Sequence, residues 1–283
     1  MTSIFTECLS EPIGQRALLA CLMIGFANGF VSAFVVLQKS ALKVGTLSHA
    51  LLPGIALAVL LAGGLTAWSA LAGAVFAALL VGLGSLFLSR TSRLDHDTAM
   101  GVLYTTAFAA GYLILTKLDV RQKLDEWLFG SVNAMSDSDL WIAFGISAVA
   151  VLALIALQRP LMIYLFEPNI AASLGVPVRL LSYTLFGITI LVLISSLQAV
   201  GCILSVGLMV APAAAVYLLT DNARALFWGG GLIGGLGSGA AFFLSYPLGW
   251  PVSATIIVVI GAIFVLAYIF SPRYGLLSGR AGR

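Results

Sequence analysis

The chain has 283 residues, 61% of them hydrophobic and 9% charged, with a formal net charge of +3. Soluble domains carry about 25% charged residues, so this composition, with a mean hydropathy of +1.10, excludes a soluble enzyme and puts most of the chain in lipid. The small excess of positive charge is dispersed between apolar stretches and forms no patch for nucleic acid.

A helix crosses the hydrocarbon core with roughly 20 residues. On that ruler the chain reads as an all-α polytopic membrane protein with about nine transmembrane spans: Ala17–Leu37, Leu47–Gly63, Ala67–Leu88, Thr98–Thr116, Leu140–Leu157, Leu180–Leu197, Cys202–Leu219, Leu226–Tyr246 and Val252–Phe270. The second and seventh are short and each holds a proline, so eight spans plus a re-entrant segment is the alternative. The whole of 1–283 forms one transmembrane domain. Met1–Glu11 carries two Glu and no basic stretch, so no cleaved signal peptide is expected. Cys8, Cys21 and Cys202 lie far apart, which argues against a thiolate cluster or disulfide framework.

The connections set the orientation. Lys39, Lys43, Arg90, Arg93, Arg159, Arg179, Arg224, Arg273, Arg280 and Arg283 fall on one side, which the positive-inside rule makes cytoplasmic. The N-terminus is then outside and the C-terminus inside. The 117–138 connection is external and net acidic, and contains the amphipathic stretch Leu124–Gly130. The 158–179 connection is cytoplasmic. Within it Glu167–Val176 reads as a short helix, with Pro168 in the first turn and Gly175, followed by Pro177, as the stop.

Several residues bear on function. His49 is an ionisable group placed well inside a span, a costly position that marks a transport path by default, and imidazole is the commonest metal ligand. The competing reading is a histidine hydrogen-bonded to a neighbouring helix. Pro53-Gly54 and Pro212 interrupt spans, either as discontinuous helices lining a path or as packing kinks. Asp95-His96-Asp97 reads as an N-cap supplied by Asp97, with an exit-side ion contact as the alternative. Asp221 reads as the cap of the eighth span, and Gly229–Gly239 as a helix-packing face. There is no G-x-x-x-x-G-K-[ST] phosphate loop, so no ATP site of that kind, and no carboxylate lies inside a span.

Phe34–Lys39 and Leu47–Gly54, followed by Asp97–Gly101, Leu128–Gly130, Leu197–Gly201 and Ala211–Ala215, resemble the motifs of zinc/manganese ABC-importer permeases in the same order, over about Arg16 to Arg273. The resemblance implies a permease subunit of the bacterial cytoplasmic membrane. Its implied partners are cytoplasmic ATP-binding subunits, an extracytoplasmic metal-binding protein and a second permease copy or paralogue. The chain binds no cofactor, and a divalent metal ion is its substrate. Glu167, Pro168, Asn169, Ala171, Ala172, Leu174 and Gly175 would belong to the helix that couples to the ATPase. Asp125, Trp127 and Phe129 would lie near the external gate and docking surface, and His49 on the ion path. The family commonly has an Asp where this chain has Gly45, four residues before His49. Imidazole without that carboxylate suits zinc better than manganese, so the expected cargo is zinc. An ion-coupled secondary carrier is the alternative; it predicts buried titratable groups and inverted repeats, and neither is evident. A membrane subunit that only scaffolds an assembly gives no reason for a buried histidine.

Overall fold

The computed structural model describes residues 10–62, 67–116, 129–132, 135–272 and 275. Among them the chain forms twelve helices: α1 Pro12–Leu37, α2 Ala41–Ala62, α3 Ala67–Thr91, α4 His96–Leu115, α5 Asp137–Ala156, α6 Gln158–Phe166, α7 Pro168–Ser173, α8 Val178–Val200, α9 Cys202–Leu208, α10 Ala211–Leu219, α11 Ala223–Leu248 and α12 Val252–Phe270. In lipid every backbone group must find its partner inside the protein, and helices achieve this locally. Seven of the helices are long and apolar enough to cross a membrane. The predicted count of nine is therefore not reached by length and composition. It requires adding α4, which is long enough but more polar, and the α9–α10 pair, which together make up the seventh predicted span.

Apolar burial does not drive helices together in lipid, so close backbone approach carries much of the packing. The glycine-rich face of α11 lies along α1. A methyl on Gly25 would overlap the Gly234 carbonyl oxygen, and one on Gly29 that of Gly230; the reverse overlaps hold too. The expected packing face is thus the actual one. Phe34 stacks beside Phe227 with ring centroids 4.4 Å apart, and Phe30 sits 5.6 Å from Phe227 and Trp228, which closes the same seam on one side.

Helix ends follow local chemistry. Asp95, not Asp97, caps α4: its carboxylate accepts from the Thr98 amide at 3.0 Å and from the Thr98 hydroxyl at 2.5 Å. Asp97 instead pairs with Lys43 of α2 at 3.2 Å. Asn222, not Asp221, caps α11, accepting from the amides of Arg224 and Ala225. Ser136 and Asp139 form a capping box at the start of α5. The Thr98 bonds hold the Asp95 carboxyl below its ordinary range. A depressed carboxylate stabilises the fold above its unfolded-state pKa, and that contribution disappears as pH falls through the lower folded value. Protection of the Thr98 amide, measured by hydrogen–deuterium exchange relative to its intrinsic rate at each pH, is therefore expected to fall as Asp95 is protonated, and Asp95→Ala should show the lowered protection at neutral pH already.

Candidate translocation site

His49 lies half-buried on α2, and two aromatic rings of α4 flank it. Tyr104 stacks near-parallel, ring centroids 6.1 Å apart, and Phe108 meets it edge-on at 6.0 Å. Among the described residues the imidazole has no hydrogen-bond partner, and its contacts to α4 are the two aromatic rings. Tyr104 and Phe108, the two rings beside His49, were not singled out in the sequence. Their i, i+4 spacing on the fourth span, which puts both on one face, was the available signal. Gly101 and Thr105 share a face with Phe108 by the same spacing. A methyl added to Gly101 would touch nothing within 4 Å, so that face of α4 is open.

Pro53 does not break α2. It lies inside a helix that continues to Ala62, which corrects the reading of this position as a discontinuity. The proline fits because Gly111 of α4 leaves room against it, and Gly54 and Gly73 let α2 and α3 meet backbone to backbone. Proline has no N–H, so the carbonyl of the residue four before it loses its helical donor. That residue is His49. One position therefore presents an imidazole nitrogen and a carbonyl oxygen released from the i+4 ladder.

Pro212 does mark a break. α9 stops at Leu208, Met209 and Val210 leave the helix, and α10 restarts at Ala211 with Pro212 in its first turn. The Ala213 amide, left free by the restart, donates to the buried Ser32 hydroxyl of α1 at 3.1 Å. α9 lies against α2, with Val206 facing Gly45: a methyl on Gly45 would sit 3.7 Å from Val206 Cγ1, an ordinary contact. A side chain at 45 is not excluded by crowding.

At the far end of α8, Gly201 turns the chain with φ 85°. The backbone of Gly130 (φ 73°) lodges against Val200 and Gly201, so close that a methyl on Gly130 would overlap them. Two separate sequence motifs thus meet. Phe129 beside Gly130 is 51% exposed. Asp125 and Trp127 lie outside the described residues.

On the opposite side, α6 and α7 form a short arm. α7 begins at Pro168 and ends in a Schellman motif: the Gly175 amide donates to the Ala172 carbonyl and the Val176 amide to that of Ala171, with Gly175 left-handed at φ 77°. Ala171 is fully buried and anchors the arm, while Phe166, Ile170 and Leu174 are 59%, 51% and 64% exposed. Glu167, Asn169 and Ala172 are exposed among them.

Among the described residues no three His, Cys, Asp or Glu side chains converge. A single copy brings His49 alone to the candidate site.

Seven helices of membrane length and composition define a multi-pass membrane protein. Residues 10–271 match the model of the ABC 3 transport family, and the chain belongs to that family. It is a permease subunit of the cytoplasmic membrane, not an enzyme. It is 33% identical to the manganese transport system membrane protein MntC of Halalkalibacterium halodurans, over 98% of this chain and 94% of that one. It is 29% identical to the chelated iron transport system membrane protein YfeD of Yersinia pestis, over 95% and 89%. Among solved structures, PsaBC from Streptococcus pneumoniae in complex with Fab superposes with a TM-score of 0.87, at 25% identity and covering 96% of each chain. These relatives carry manganese and iron in their names, so the zinc expectation drawn from Gly45 finds no support there. One missing carboxylate, at a position not shown to hold the ion, is a weak guide to the metal.

Proposed function

We propose that this permease carries a divalent transition metal, manganese first and iron second, along a path that passes His49. The observation that carries this reading is the half-buried imidazole, flanked by Tyr104 and Phe108, without a hydrogen-bond partner among the described residues, beside a carbonyl whose helical donor Pro53 removes. An intramembrane ionisable group is expensive unless it works, and a site for transport must bind weakly enough to release its ion. One nitrogen and one oxygen from this copy suit such a site, with a second copy of the permease or a paralogue completing the ligand set across the open face of α4. The manganese names of the relatives favour the first metal, and the iron name of one favours the second.

Cytoplasmic ATPase subunits supply the energy, and an extracytoplasmic binding protein delivers the ion. In this reading α7 is the coupling helix: Ile170 and Leu174 hold exposed apolar surface on the short α6–α7 arm, and burial of each in an ATPase groove would be worth about 2 kcal/mol. Ile170→Glu with Leu174→Glu is expected to abolish metal-stimulated ATPase activity and uptake while leaving the melting temperature of the isolated permease unchanged. Retained coupling in that variant, measured as ATP hydrolysed per ion in proteoliposomes, would move the docking surface elsewhere.

The test of the metal reading is uptake into proteoliposomes holding the permease with its ATPase and binding protein, with and without ATP. Manganese and iron(II) uptake that requires ATP supports it. Uptake driven by an ion gradient alone would place the chain with secondary carriers. Pro53→Ala is a sharper probe of the site. It restores the donor to the His49 carbonyl, so it is expected to leave the fold at least as stable and yet reduce uptake severalfold, measured with radioactive manganese.

A further inference from the structure

At the cytoplasmic end of the bundle a cavity of about 550 Å³ opens between the α1–α2 link, α3, the start of α4, α6 and α8. His49 does not line it, and its chemistry differs from that of the candidate ion site. Lys39, Lys43 and His96 are its ionisable cationic groups, and Ser40 and Tyr183 add hydroxyls; no Asp or Glu is among its lining residues. Lys43 pairs with Asp97 at 3.2 Å, but Lys39 forms no ion pair among the described residues. Lys39 holds a left-handed backbone, φ 54°, in the turn that closes α1. The Nδ1 atom of His96 is buried without a hydrogen-bond partner. The Lys39 ammonium, with Lys43 and His96 beside it, favours an anion here over a divalent cation.

Apolar surface comes from Leu86 and Phe186, on two different membrane helices, beside Ser182 and Thr189. Cationic and hydroxyl groups next to apolar side chains at the membrane surface suit a phosphate headgroup with an attached hydrocarbon chain. We infer that this cavity binds an anionic phospholipid of the cytoplasmic leaflet, its phosphate between Lys39, Lys43 and His96 and one acyl chain along Leu86 and Phe186. The cavity also touches Tyr164, Leu165 and Pro168 of the α6–α7 arm. The lipid therefore lies against both that arm and α2, the helix that carries His49. The inference holds whichever metal is carried.

The experiment is thermal unfolding of the delipidated full-length permease in neutral detergent, with phosphatidylglycerol, phosphatidylcholine or inorganic phosphate added in separate arms. Phosphatidylglycerol is expected to raise the melting temperature by a few degrees, phosphatidylcholine and phosphate by much less. Lys39→Gln with Lys43→Gln should reduce the phosphatidylglycerol effect to that of phosphatidylcholine, while Lys39→Arg with Lys43→Arg keeps it. Lys43→Gln also breaks the Asp97 pair, so native mass spectrometry of Lys39→Gln alone supplies a second readout: fewer phosphatidylglycerol molecules retained than in the parent. Equal shifts from both lipids, or equal lipid retention in Lys39→Gln, would overturn the site. A shift from inorganic phosphate as large as that from phosphatidylglycerol would replace the lipid by a soluble anion.

Discussion

His49→Ala is expected to lower ATP-driven manganese uptake by about tenfold or more, with the permease still inserted and still assembling with its ATPase. The scale follows from metal sites in general: losing an outer partner of a ligand costs about 10- to 100-fold in affinity or activity, and His49 is proposed as a direct ligand. The substitution removes a half-buried ring that packs beside Tyr104 and Phe108 but makes no hydrogen bond among the described residues, so the fold should tolerate it. His49→Phe separates the two roles. It restores the aromatic packing without a nitrogen, and if packing is all that matters it should rescue uptake. Rescue by phenylalanine would remove His49 from the ion path, while rescue by neither residue, with basal ATPase activity intact, would keep it there.

The largest effect on the fold is expected at the α1–α11 crossing. Gly234→Leu would drive a side chain into the Gly25 carbonyl, where even a methyl does not fit. Backbone cannot yield as a side-chain tip can. The helices must separate along the seam that also holds Gly29, Gly230, Phe30 and Phe227. Overpacking of a closed core costs about 3 kcal/mol at the upper end of its usual range, so the variant should melt well below the parent or fail to accumulate as a monodisperse peak in size-exclusion chromatography. Gly261→Leu on α12 is the control, because a methyl there would meet nothing within 4 Å. Equal loss in both variants would mean that helix propensity or insertion, not the crossing, sets the effect.

Much of the architecture was legible because it depends on residues close together in the chain. Runs of apolar residues produced the long helices, and proline and glycine at 168 and 175 bounded α7 where expected. The caps were read to the right segment but the wrong residue: Asp95 and Asn222 do what was expected of Asp97 and Asp221. Neighbouring polar residues compete for the same amides, and what settled Asp97 was Lys43 on another helix. The candidate site was legible only in part. His49 stood out by its rarity, whereas Tyr104 and Phe108 carry no mark in an already apolar span.

The two prolines show where sequence stops. By itself the chain determined that it lives in a membrane as an all-helical bundle, which side carries the positive charge and which titratable residue sits at depth. Those are sums over local hydropathy and charge. It could not determine which proline breaks its helix. Pro53 stays helical because Gly111, on another helix, leaves room for its ring, and Pro212 follows a true break because Ser32, 181 residues away, accepts the bond that Ala213 has lost. Freed backbone groups in lipid must be satisfied by whatever packs beside them, and only the tertiary structure decides what that is.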